Sequence, residues 1–265
     1  MTTSPNFGVS HIEGIALIVA DLDAAINFYQ DGLGFTLKAR ADVPGSKASA
    51  VLSLGGVSLQ LDQPALPGKP YPCKRSANDP WFQHFAIRVS NMDLAYARLA
   101  RQPITHISVG GPQQLSSSSG SVIAYKFRDI DGHPLELSQY PGEVPPSSES
   151  PFLAIDHSAI AVKDLQASIA FYSGQLGFRV AETLVNQGPA QCRLDGLDDV
   201  VVDIVVLATP FPGPHLELLH YRSPAPSLAV QGTELNDIAT TRLLVTAEGP
   251  GRILPDPDRH FVAVV

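Results

Sequence analysis

Two histidines and two glutamates stand where side chains of their type can do chemistry. His84 opens the run HFAIRV and His157 opens HSAIAV, while Glu136 lies in HPLELSQY and Glu217 in PHLELLHY. Imidazole nitrogens and carboxylate oxygens are donors to divalent ions, and a carboxylate can also take a proton from carbon. Taken singly, such residues are ordinary: a histidine on a half-buried strand is a hydrogen-bonded scaffold residue, and a glutamate between leucines faces solvent. Alternation along the strands gives them a common direction. His84, Ala86 and Arg88 share one face, and Phe85, Ile87 and Val89 share the apolar opposite face that a helix would cover. The same parity groups His157, Ala159, Ala161 and Lys163, then Glu136, Ser138 and Tyr140, then Glu217, Leu219 and Tyr221. All four candidates are expected on the uncovered face. His133 and His215, each just before a last strand, are expected in turns, and His106 and His220 as structural or rim residues.

The elements that must position these residues come from a repeat. Residues 14 to 35 match residues 157 to 178 without a gap, with Asp21 and Asp164, Phe28 and Phe171, and Gly34 and Gly177 all displaced by 143 positions. Each copy begins with an alternating run. Asp-Leu then opens a stretch with helical apolar spacing, and Leu-Gly-Phe closes it. A looser copy starts at His84 and ends in FRDIDGHPLELSQY, where the Asp-Gly turn reads as a hairpin into a last strand. Corresponding last strands are GVSLQLDQ (56 to 63) and PHLELLHY (214 to 221). A fourth copy runs from Asn236 to Val265, with NDIAT resembling its first strand. It is too short for a helix and one strand. The expectation is an α+β chain of four βαβββ modules, the last shortened, forming paired curved mixed sheets around clefts. Crossover helices are expected near 21 to 33, 92 to 102 and 165 to 176, and none within 238 to 263.

Pro- and Gly-rich connectors lie at 64 to 80, 141 to 151 and 222 to 234. The middle one is the expected boundary between domains at 1–141 (modules one and two) and 152–265 (module three and the shortened fourth). The run Ser116 to Ser119 before Gly120 reads as a solvated hairpin loop, with a flap beside the cleft as the functional alternative. The chain of 265 residues is 44% hydrophobic with a formal charge of −8, a balance that suits a folded protein and argues against nucleic-acid and anionic-membrane partners. Small molecules are the expected partners, in a monomer or homodimer. Two cysteines, Cys73 and Cys192, make no disulfide framework, and the start MTTSPNFGVS reads as no export signal, so the expected location is cytoplasmic.

The pattern H-x-A-I-x-V-x-D-L, a helix carrying F-Y, then L-G-F, and later R-D-x-D-G-H-P-L-E-L resembles the glyoxalase, bleomycin-resistance and extradiol dioxygenase group, the vicinal oxygen chelate superfamily. The resemblance implies a metal ligand at the start of a module's first strand and another in its last strand, with two modules facing across one cleft. By position, module two offers His84 and Glu136, and module three His157 and Glu217. Module one has Gly14 and Gln60 there, and module four Asp237 and Ala263. Pairing modules two with three and one with four would then give one intact and one degenerate site, hence one divalent ion per chain. Zinc, nickel, cobalt, manganese and iron(II) all suit two imidazoles and two carboxylates. The implied activity is a glyoxalase-like isomerase or lyase acting on a small substrate with vicinal oxygens, with Glu136 or Glu217 as the base. The alternatives are an extradiol dioxygenase using iron(II) and a binding protein without catalysis. Arg88, Tyr140 and Tyr221 are candidate substrate contacts, and Lys163, Trp81 and Tyr125 are further candidates for the cleft lining.

Overall fold

The computed structural model describes residues 8–41, 45–116, 120–143, 150–226 and 233–265. Ser117, Ser118 and Ser119, and with them the flap reading, lie outside the described residues. The first module comprises β1 (His11–Ile18), α1 (Leu22–Asn27, extended by a wider turn over Phe28–Gly32), β2 (Thr36–Ala41), β3 (Ser46–Leu54) and β4 (Val57–Pro64). The second has β5 (Gln83–Val89), α2 (Met92–Leu99), the short β6 (Thr105–His106) and β7 (Gln113–Gln114), β8 (Ile123–Arg128) and β9 (Pro134–Gln139). The third has β10 (Phe152–Ala161), α3 (Leu165–Ile169, extended over Ala170–Gln175), β11 (Arg179–Gln187), α4 (Pro189–Asp195), β12 (Val201–Ala208) and β13 (His215–Ser223). The fourth keeps β14 (Arg242–Thr246), β15 (Arg252–Pro255) and β16 (Phe261–Val264), with no helix among its described residues.

One capping device starts all three crossover helices. The side chains of Asp21, Asn91 and Asp164 accept the backbone N–H three residues on, at 3.0, 2.9 and 3.0 Å. Gly34 and Gly177 end the first and third at φ +74° and +84°, a backbone conformation that disfavours any side chain. The short α4 was not expected. Its signals are in the sequence, Pro189 at the first turn and Gly196 in the left-handed conformation just past the end.

Modules pair as one with four and two with three. The seven-stranded sheet runs β15-β16-β14-β1-β4-β3-β2 and the nine-stranded sheet β11-β12-β13-β10-β5-β9-β8-β6, with β7 on β8. The joining strands are antiparallel in both, β1 with β14 and β10 with β5. The helix-covered faces of both sheets share one buried cluster, to which Leu17, Leu59, Phe85, Leu137, Leu216 and Val262 all belong. Two matching hairpin turns tie the sheets together. Asp129 takes the Tyr29 hydroxyl at 2.6 Å while His133 Nε2 donates to the Ile18 carbonyl at 3.0 Å. Asp256 likewise takes Tyr172 at 3.1 Å, and His260 donates to the Ala161 carbonyl at 2.9 Å.

The register corrects one sequence assignment. Ala86 lies beside Glu136 and Ala159 beside Glu217, each two residues after its histidine. In the seven-stranded sheet Ala16 lies beside Gln60 and Leu244 beside Ala263. The equivalent of His84 is therefore Arg242. Asp237 instead sits in a turn before β14, where its carboxylate accepts the backbone N–H groups of Lys69 and Glu234 at 2.7 and 2.9 Å. NDIAT resembles a first strand in composition, but with no helix after it nothing fixes its place along the sheet.

Candidate metal site

Strand pairing alone brings the two histidines together. In the antiparallel register of β10 on β5, Ala159 faces His84 and His157 faces Ala86, so both rings rise from one face with centroids 5.7 Å apart. Glu136 stands on β9 and Glu217 on β13, the parallel neighbours on either side. His84 Nε2 is 3.4 Å from Glu136 Oε2, and His157 Nε2 is 3.8 Å from Glu217 Oε2. Donor bonds of about 2.0–2.2 Å put adjacent ligands of one ion roughly 3 Å apart. His84, Glu136 and His157 thus have the spacing of a ligand set a little open, with Glu217 beside His157 at its edge. Both nitrogens of the His84 ring are buried and without a hydrogen-bond partner among the described residues, a cost of about 1–3 kcal/mol for each unsatisfied polar group. A cation at Nε2 would remove part of that cost, so the residues fit a divalent ion.

Neighbouring groups hold the donors in place. His157 Nδ1 donates to Asp156 Oδ2 at 2.9 Å, and Tyr140 donates to the same oxygen at 2.8 Å. This leaves Nε2 of His157 with its lone pair toward the cavity when the ring is neutral. Ser138 donates to Glu136 Oε1 at 2.6 Å, and His215 Nε2 lies 3.3 Å from Glu217 Oε1. Burial, helped by the charges of Lys126 and His157, holds the His84 pKa well below its ordinary value. Burial also opposes charge on His157, but Glu217 and the Asp156 hydrogen bond outweigh it and carry the pKa up to about 9. The two glutamates differ. Burial lifts the Glu136 carboxyl above its usual range despite Lys126, whereas at Glu217 the same penalty is outweighed by His157 and His215, which hold it low.

All four predicted donors, with Tyr140 and Tyr221, line one cavity of about 450 Å³. Arg88 does not reach it. Four residues along the strand carry it roughly 13 Å from His84, where it is half exposed and paired with Glu143 at 2.8 Å. Lys163 is exposed, Tyr125 is buried in the core between the sheets, and Trp81 packs near Tyr71 and Ile238. Sequence reasoning missed Lys126 and Asp195. Lys126 is buried beside Glu136 on the neighbouring strand, its Nζ 3.7 Å from Glu136 Oε2 and 2.6 Å from Asp195 Oδ1. Burial disfavours its charge, but Asp195 and Glu136 more than offset this and raise its pKa. Parity was the available signal, since Ile123, Tyr125 and Phe127 are apolar and Lys126 is out of phase with them. Asp195 ends the unforeseen α4 and also accepts from Tyr221 at 3.1 Å and Gln191 at 2.8 Å.

A family model described as the glyoxalase/bleomycin resistance protein/dioxygenase superfamily matches residues 8–137 and 154–263. The chain belongs to this superfamily. A comparison with curated proteins gives no match. Among solved structures, glyoxalase I from Zea mays aligns over 97% of this chain and 92% of its own, with TM-score 0.63 and 17% identity. A protein from Bacillus subtilis provisionally assigned as a dioxygenase aligns over 98% of this chain and 85% of its own, with TM-score 0.58 and 12% identity. At such identities the superfamily likeness is one of fold, and the α+β architecture of two mixed, open sheets agrees with it. No helix among the described residues is long and apolar enough to cross a membrane.

Proposed function

We propose that this chain is a metal-dependent isomerase or lyase of the glyoxalase-like type, acting on a small molecule bound through vicinal oxygens. One divalent ion (zinc, nickel, cobalt, manganese or iron(II)) would be held by His84, Glu136, His157 and Glu217. The observation that carries the reading is the meeting of these residues from two modules around one cavity, with the His84 ring buried there and otherwise unpartnered. When bound, the ion would supply Lewis-acid stabilisation of the negative charge that develops on substrate oxygen as a C–H proton is lost. The chain supplies the base. Glu136 is suited to it, because Ser138 fixes Oε1 while Oε2 stays beyond hydrogen-bond contact with His84 and Lys126. Glu217, steadied by two histidines, is suited to remain a ligand. Lys126 offsets negative charge beside Glu136, and Asp156 with Tyr140 keeps the His157 ring oriented.

One observation favours a second reading, an extradiol-type dioxygenase. The donor atoms of His84, Glu136 and His157 lie within 4.8 Å of one another, and Glu217 stands outside this set. Two imidazoles and one carboxylate are the facial triad of non-haem iron(II) oxygenases. The test is elemental analysis after incubation with each metal, followed by two assays on the loaded protein: proton exchange next to a carbonyl, and catechol cleavage on oxygen exposure after anaerobic iron loading. Exchange that is lost in Glu136→Gln supports the isomerase or lyase. Ring cleavage supports the dioxygenase, and negligible metal uptake leaves a binding protein.

A further inference from the structure

The cavity is chemically one-sided. Its polar end is the four-residue cluster with Lys126, and from Glu217 outward the floor turns apolar. Across β12 and β13, Val206 pairs with Glu217, Ile204 with Leu219 and Val202 with Tyr221, and all of them line the cavity. Leu184 of β11 and Leu194 of α4 extend this surface, bordered by the polar Glu182, Asn186 and Gln191. Val202, Ile204, Leu219 and Tyr221 form a cluster distinct from the main core, so this apolar face belongs to the cleft rather than to packing between the sheets. Module two adds a smaller apolar contribution, Leu115 and Val122. Its strands present Lys126, Glu136, Ser138 and Tyr140.

Charge narrows the occupant further. Lys126 is the one lysine or arginine among the described residues lining the cavity, and its ammonium is already held at 2.6 Å by Asp195. Glu136, Glu217 and, at the rim, Glu182 add negative charge around the same space. An anionic body lying on the floor would meet carboxylates and find no unpaired cation to receive it.

We propose that the site takes a compact molecule with two adjacent oxygens at one end and an uncharged apolar body, which the module-three floor of Leu184, Ile204, Val206 and Leu219 recognises. The proposal rests on the metal-site reading for its oxygen end and adds the selection of the body. Zinc-loaded full-length protein is titrated calorimetrically with hydroxamates, whose paired oxygens are constant while the tail varies: acetohydroxamate, 4-tert-butylbenzohydroxamate and 4-carboxybenzohydroxamate. The expected order has the tert-butyl compound binding about tenfold or more tighter than acetohydroxamate, as burial of apolar area requires, with the carboxylate compound weakest of the aromatic pair. Leu184→Lys, at a partly exposed position away from the four candidate metal ligands, should erase that preference while the protein still takes up zinc. Equal binding across the series, or tighter binding of the carboxylate compound, overturns the proposal while leaving the metal site standing. No uptake of zinc, or no hydroxamate binding that depends on His157, overturns both.

Discussion

The two sheets are built on one plan and end in opposite chemistry. In the nine-stranded sheet the register places His84, Glu136, His157 and Glu217 around a cavity. In the seven-stranded sheet the same positions hold Arg242, Ala263, Gly14 and Gln60. This second set is more than a list of losses. Arg242 pairs with buried Asp62 at 2.5 Å, and the Gln60 amide donates to both Asp62 oxygens at 3.0 and 2.9 Å. A side chain at Gly14 would begin 2.0 Å from the Ser58 carbonyl oxygen, so no ligand can be restored there without moving backbone. On the proposed reading a module pair offers a place for a cation, and in the seven-stranded sheet a guanidinium from the chain itself stands at the matching position.

Variants that break this contrast should act on one sheet only. The largest effect is expected from His84→Ala or His157→Ala, each weakening metal binding by about 100-fold or more, since even loss of an outer-sphere partner costs about 10–100-fold. Circular dichroism should remain that of the parent, because both rings lie on the cleft face. Asp62→Ala leaves Arg242 without its carboxylate in a largely buried position and should lower stability by roughly 3 kcal/mol in urea unfolding, with metal content unchanged. Asp156→Asn should weaken metal binding by about tenfold, because the His157 ring loses the carboxylate that orients it. The last effect is one of pH. Since the folded pKa of His157 is raised to about 9 from an ordinary 6.5, its contribution to the stability of the metal-free protein is full below pH 6.5 and is lost as pH rises to about 9. Metal must displace that proton, so apparent affinity should climb across the same window, and His157→Ala should flatten both curves.

Much of this was legible because repetition supplies a ruler. The constant offset between modules one and three placed strand, helix and glycine stop together, and strand parity put His84, Glu136, His157 and Glu217 on the face that lines the cavity. Where the ruler failed, there was a physical cause. The fourth module lacks the helix among its described residues, so the sequence pattern points to Asp237 for the position that Arg242 occupies. Arg88 has the right parity but stands too far along its strand. Lys126 and Asp195 lie 69 residues apart and meet only through the strand register and α4, an insertion within module three that the repeat does not foreshadow.

The proposed contrast is an ion in one sheet and an arginine in its place in the other. The most direct measurement is the number of metal ions per chain, by native mass spectrometry after loading and removal of excess metal. One ion is expected in the parent and in Asp62→Ala, and none in His157→Ala. Two ions per chain, or one that persists in His157→Ala, would contradict it.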